Sequence, residues 1–584
     1  EIRDAFGRLR VKELILPNDP SSFSGEQEFS FRHGLIRDGA YESLPKSLRA
    51  VKHRQVSAWA EERAGDRAVE IAQLIAAHLR DALRYLDELG DASDERRAAQ
   101  GDAYRWTRAA GERASALWLA SDAIDWYLEA LRLAEVLDTP LSERAGLALE
   151  LIDVSWGVRP SEEAEHACRV ALELCEAAGD ELGAGSAQSS LTMILFQQGR
   201  DEEALEAGAL AVERLERIGE SPELADALRS LGQFHWRRGN SAEADAYLRR
   251  AVDVAGRVNA PAVRAAALQD LAIELAQSGN TDDAMATIEE AFEAAKQVGE
   301  RVNLQRAYNN YASMLIQYGS DLRRAREVAL EGRELAERGR GEGWLGWIRN
   351  TAAEVSLTLG ELEDAERGAR ASIEHATVAG DQPLVGLASG ILSWVLLWRG
   401  RPEEAQATLE RAREILREMP EPQGDIVLER VEGELALLQG RDDEALERLR
   451  RGTELADEYS VDLDPRVVLA LIRLLVRRRE HDEALGAIAI LERGRSPLSG
   501  ACLAIARGLL ASDPEPAVGE LTQAVDELDS LGMRVDLGRA LLDLGRAVRA
   551  AGRDPRDAFE RGRRLFVECD AQLFLPEVEA ELDV

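Results

Sequence analysis

The chain has 584 residues, far more than one compact core holds, so it is either several domains or one repeat array. Its 45% hydrophobic and 31% charged residues are the balance of a folded, soluble protein and exclude a disordered one. A net charge of −36 repels phosphate backbones and argues against nucleic-acid partners, while four cysteines are too few for a disulfide framework and read as reduced thiols of a cytoplasmic protein.

The first elements do not follow the pattern of the rest. Ile2 to Leu14 predicts a helix; Ile15 to Pro17 and Glu28 to Phe31 predict short strands around a Pro/Ser/Gly loop. Helices are expected from Arg32 to Tyr41 and from Pro45 to Glu62, with Pro45 at a favoured helix-start position. Helix, strand, loop, strand, helix is the order of most of a small winged-helix module, placed at residues 1–64, with linking helices at 65–100. Ten basic and eight acidic residues among the first sixty leave the whole acidic excess to the remainder.

The segment FSFRHGLIRDGAYESLPKSLR, Phe29 to Arg49, resembles the junction after the ATPase module of bacterial STAND-type (AAA-related) signalling ATPases. Such proteins often carry a class III adenylate or guanylate cyclase upstream and end in tetratricopeptide repeats; a related group ends in a LuxR-type DNA-binding domain. The resemblance spans about residues 1–135. It implies that the chain is the C-terminal part of such a protein, with the upstream ATPase module as a partner. It also implies a winged helix that packs against the nucleotide site without reading DNA, and it makes His33 a candidate nucleotide-proximal contact. A packing or capping role is the plainer reading of His33.

From about Gly101 to the C-terminus the chain repeats itself. A Gly is followed by acidic residues and an Ala at Gly199 to Ala204, Gly239 to Ala244, Gly279 to Ala284, Gly360 to Ala365, Gly400 to Ala405 and Gly440 to Ala445. Variants run from Gly319 to Ala325, Arg479 to Ala484 and Gly552 to Ala558, and degenerate copies end at Ala123 and Ala164. The alanines from 164 to 484 recur every 39 to 41 residues. The Gly ends one helix in a left-handed turn, the acidic residues open the next at its positive end, and the Ala sits where two helices approach closely. Leu231-Gly232, Gly239, Ala244, Leu248 and Ala251 resemble the tetratricopeptide motif in order, with a period near 40 instead of 34. The expected fold is all-α: a tetratricopeptide-like α-solenoid over 101–584, coiled as a right-handed superhelix, with an irregular stretch from Ser496 to Leu531 where Pro497, Pro514 and Pro516 disturb the frame. The uncharged run from Gln382 to Trp398 falls in phase with the repeats and reads as a buried helix, so no membrane partner is expected.

Catalytic chemistry is not visible. None of the four lysines follows a Gly, so there is no P-loop; the seven histidines are scattered; no metal or Ser/His/Asp pattern stands out. The chain is therefore read as no enzyme, with no cofactor. Ten residues before each repeat's Gly lie Ser189, Arg229, Gln269, Asn309, Asn350, Gly390 and Arg430. First helices line the concave face of such arrays, so Arg229, Gln269, Asn309, Asn350 and Arg430, with Trp236 and Trp347, form the candidate site. These side chains are expected to face solvent and to bind a protein, peptide or small polar ligand in the groove. Trp394 and Trp398 take other first-helix positions. The leading function is a non-catalytic regulatory, sensor and protein-interaction region of a signal-transduction ATPase. A stand-alone scaffold is one alternative; a fragment of a LuxR-type transcription activator is another, opposed by the acidic end Glu577 to Val584.

Overall fold

Ala, Leu, Glu and Arg favour helix, and helix dominates the residues that the computed structural model describes: 2–18, 27–90, 93–117, 119–155, 161–319, 321–338, 344–418, 422–459 and 463–583. The sheet among them is one two-stranded antiparallel pair. The chain divides into two compact units, Glu1–Gly199 and Arg200–Val584.

In the first unit, helix Ile2–Val11 leads into strands Ile15–Asn18 and Glu28–Phe31, with Ile15 opposite Phe31 and Asn18 opposite Glu28. The helix stops three residues before the predicted Leu14 because Glu13 turns the chain through a left-handed conformation (φ 54°). The central part of the predicted Pro/Ser/Gly loop lies outside the described residues. Helices Gly34–Glu42 and Lys46–Ala64 follow, and a 3-10 turn at Gly65–Ile71 opens a run of helices to Gln197. Tyr41 Oη lies 2.7 Å from His53 Nε2 and 2.9 Å from Tyr85 Oη, which ties helices Gly34–Glu42, Lys46–Ala64 and Ala72–Glu88 together.

The second unit is a solenoid of helix pairs, and each element of the repeat does its expected work. Gly239 adopts φ 73° after helix Pro222–Arg237, and where the repeat has Arg479 instead of Gly the backbone still takes φ 63°. Asp201, Glu202 and Glu203 crowd the first turn of helix Asp201–Ile218, facing its positive end. Ala204, Ala244, Ala284, Ala325, Ala365, Ala405, Ala445 and Ala484 are all fully buried, as the close-approach reading requires. A Cβ on Gly232 would stand 2.8 Å from Leu248 Cγ, so small and large residues of the motif meet across one helix pair. Helix Gln382–Trp398 is buried from Leu384 to its end, as expected for its uncharged run.

The stretch expected to be irregular is not. Pro497 and Pro514 open the regular helices Pro497–Leu510 and Pro514–Leu531 from their first turns, where a missing N–H costs nothing. The frame shifts there because the first of these helices has 14 residues against 17 or 18 in most central repeats.

The coil in this unit is tight enough for successive turns to touch. Arg495 donates to the carbonyls of Ala276 and Gln277, 219 and 218 residues away. Arg534 donates to the Leu359 carbonyl at 3.1 Å across 175 residues, and Arg399 to Asp570 at 2.7–2.9 Å across 171. At about 40 residues per repeat, one turn therefore takes roughly four to five and a half repeats. Arg495 and Arg534 donate to carbonyls at helix ends, whereas Arg399 pairs with a carboxylate. A core continuous from Ala265 to Val355 and from Val468 to Leu541 packs the facing inner helices together.

Candidate functional site

First helices of successive pairs turn their inner faces to the axis of the coil, and their polar residues gather there in two clusters. The first is built on Asp270 of helix Pro261–Ser278, whose side chain is only 2% accessible. Its carboxylate accepts from Arg229 Nη1 at 3.2 Å, from Gln233 Nε2 at 2.8 Å and from Arg306. Burial pushes the Asp270 carboxyl up, but Arg306 and Arg229 outweigh it and hold the group below its ordinary range. Beside them, Trp236 Nε1 donates to Gln277 Oε1 at 2.5 Å, and the Arg237 guanidinium stands 5.1 Å from the Trp236 ring centre. Arg237 forms no ion pair or hydrogen bond among the described residues. Its side chain keeps accessible surface, and the protein packed around it, with Arg306, lowers its pKa against the pull of Asp270.

The second cluster surrounds Trp394. Arg430 lies 3.6 Å and Arg466 4.5 Å from the Trp394 ring centre. Arg430 pairs with Asp464 and Glu434, both at 3.3 Å; Arg466 with Asp464 at 2.9 Å and Asp536 at 3.7 Å; Arg473 with Asp543 at 2.6 Å; and Arg539 with Glu434 at 3.6 Å. Four cations thus meet four anions contributed by helices from different parts of the coil. Glu354 lies among them, and burial pushes its carboxyl up to about 7 against the opposing pull of Arg466.

The row predicted from the repeats does run along the inner helices, but the expectation that it faces solvent is corrected. Gln269 is fully buried, Arg430 is 1% accessible, and Asn309 and Asn350 are buried too. Gln269 and Asn309 spend hydrogen bonds on their neighbours, whereas the buried Asn350 Oδ1 has no partner among the described residues. Asn310 donates to Gln269 Oε1 at 3.3 Å, and Thr351 donates to Asn309 Oδ1 at 2.8 Å, each across one repeat. Arg229 and Trp236 are half-buried members of the first cluster. Trp347 donates to Asp381 at 3.0 Å, away from both clusters. Trp394 and Trp398 are buried in the core. His33 is exposed at the start of helix Gly34–Glu42, and its carbonyl, not its side chain, caps the first turn.

Counting back one fixed position per repeat missed Gln233, Arg237, Asp270, Arg306 and Glu354. The signal was present as charge inside otherwise apolar first helices, most plainly at Asp270 between Gln269 and Leu271.

Comparison with known proteins agrees with the repeat. Residues 223–297 match the tetratricopeptide repeat family model. Similar solved structures include a Rap protein complexed with competence and sporulation factor, at 17% identity over 58% of this chain and 99% of that one, with TM-score 0.40. A signal-transduction ATPase with numerous domains (STAND), carrying a tetratricopeptide repeat sensor and from Pyrococcus horikoshii, is similar at 17% identity over 71% of this chain and 58% of that one, TM-score 0.38. The apo form of the quorum sensor NprR from B. thuringiensis is similar at 15% identity over 58% and 91%, TM-score 0.37. No curated protein sequence matches the chain.

Proposed function

We propose that this chain is a non-catalytic sensor and protein-interaction region, and that it binds a peptide, protein segment or small polar ligand inside the coil of its second unit. One observation carries the reading. Polar side chains along the axis, among them Arg229, Arg237, Arg306, Arg473 and Arg539, keep accessible surface while being closely surrounded by protein. Water that reaches such groups sits in a confined, low-dielectric place, where each contact to a guest is strong. A surface serving only to keep the protein in solution has no need to place cations there.

The parent context is the further step of the same proposal. The segment Phe29 to Arg49 favours an upstream STAND-type ATPase, for which residues 1–64 form a partial winged-helix module and 101–584 the sensing array, in a cytoplasmic protein. The four cysteines are reduced and buried, in keeping with such a compartment.

The test is a screen of short peptides and polar metabolites against the full chain by thermal shift, followed by hydrogen exchange. Protection of helices Pro222–Arg237, Pro261–Ser278 and Arg301–Gln317 by a hit supports the proposal. A screen without hits, or hits that protect only the outer helices, refutes it.

A further inference from the structure

Resting on the reading of the coil interior as a ligand site, we propose that the cluster around Trp236, Arg237 and Arg306 binds an oxyanion, a carboxylate or a phosphate group. The two polar clusters differ in one decisive respect. Around Trp394 four arginines meet four carboxylates, so the charges close on themselves and hold the turns of the coil together. Around Asp270 three arginines, Arg229, Arg237 and Arg306, meet two carboxylates, Asp270 and Asp226. Asp226 lies on the outer side of Arg229, 2.8 Å away and 46% accessible, and Asp270 is consumed by its three donors.

Arg237 is thereby left without a direct ion pair or hydrogen bond among the described residues. Asp270 attracts it from a distance without contacting it, and its side chain keeps accessible surface for a guest. Arg495 of the next turn, whose guanidinium rests against the carbonyls of Ala276 and Gln277, adds a further cation beside Gln277, the acceptor of the Trp236 indole. A local excess of positive charge inside a protein of net charge −36 is the reverse of what its composition supplies on average.

Asp270 is the positioning residue. By gripping Arg229 and Arg306 it fixes the planes of both guanidinium groups while each keeps accessible surface, 19% and 15%. An entering oxyanion meets donors that are already oriented, beside a cation that no carboxylate contacts directly. A neutral isostere gains none of the charge attraction.

The experiment uses the full chain at constant ionic strength and neutral pH, with calorimetric titration of inorganic phosphate, succinate and neutral succinamide. At least one of the two anions is expected to bind and succinamide is not; which anion binds names the group the site prefers. Arg237→Gln should weaken that anion at least tenfold, and Arg237→Lys, which keeps the charge but loses the planar fork, should retain part of it. Arg367→Gln, a change at an exposed residue of helix Leu362–Ala379, should leave it unaltered. Failure of both anions to bind the folded wild type overturns the proposal, as does wild-type affinity in Arg237→Gln. Should Arg237→Gln not fold, wild-type affinity in Arg237→Lys overturns it equally, because a diffuse charge effect would then suffice. A ligand that protects the inner helices in exchange but ignores Arg237→Gln sinks the oxyanion site alone, whereas the absence of any inner ligand sinks the functional reading as well.

Discussion

Replacing Glu354 by Gln should stabilise the protein at alkaline pH and do little in acid. Glu354 sits on helix Leu345–Leu359 and faces Asp464 and Arg466 inside the coil. In the unfolded chain its carboxyl ionises near the ordinary 4.5; in the folded coil, burial first and Asp464 after it raise the value to about 7, against Arg466. Between these values the folded state holds a proton that the unfolded state has released. Stability therefore falls as pH rises from about 4.5 to about 7, and the loss is complete above that. A change from 4.5 to about 7 corresponds to at most about 3 kcal/mol. Gln keeps the size and polarity of the protonated acid and never ionises, so E354Q should exceed the wild type by up to about 3 kcal/mol at pH 8 and match it near pH 4.5. An array this long does not unfold in one step, so the reading is the midpoint of the transition that includes residues 345–478, followed by urea and intrinsic fluorescence at both pH values. Comparing variant with wild type at each pH cancels every other titrating group. An E354Q protein no more stable than the wild type at pH 8, or one shifted equally at both pH values, refutes the reasoning.

Asp270 carries the opposite sign: its lowered carboxyl contributes stability above its unfolded value, lost as pH falls through the folded one, so Asp270→Ala should cost about 3–5 kcal/mol at neutral pH and progressively less in strong acid, measured by denaturant midpoints. Ala244→Leu and Ala284→Leu should each destabilise by about 1–3 kcal/mol, because both alanines are fully buried at helix crossings; unchanged melting of both would show that the repeat frame is misplaced. Gly232→Ala should act in the same direction through Leu248, with the loss confined to neighbouring repeats in hydrogen exchange. The acidic chain should give no mobility shift with DNA or RNA at micromolar protein and physiological salt.

The repeat was legible because its signals are local. A left-handed residue after a helix, acid in the following turn and Ala at a crossing are each demanded by one helix pair, so the 40-residue phase located Ala204 through Ala484 without knowledge of the coil. Pro497 and Pro514 misled because proline is a breaker inside a helix and a starter at its first turn, and composition alone does not say which turn it occupies. The inner row was legible as a position but not as a state. Gln269, Asn309 and Asn350 were rightly aligned, yet their burial depends on how sharply successive pairs rotate, and that rotation is a property of the whole second unit.

The tightness of the coil decides what those amides can do. In a wide groove, an Asn on an inner helix keeps its two donors and its acceptor for a guest. In this one, neighbouring inner helices come close enough for Thr351 to reach Asn309 and for Asn310 to reach Gln269, so these two amides stitch repeat to repeat. Recognition then passes to the longer side chains that reach past this layer. Arginine is the residue that does so, since its stem crosses the packed shell and its planar head remains partly accessible. Arg229 and Arg306 reach the axis from first helices two repeats apart and are held by the carboxylate that lies between them, Asp270. Any rotation between those two pairs must stretch or slide both contacts at once, so a guest that grips the same guanidinium groups is coupled to the pitch of the coil without a separate hinge. The coupling also runs in reverse: a change of pitch imposed elsewhere on the second unit alters the spacing of Arg229 and Arg306, and with it the affinity for the guest.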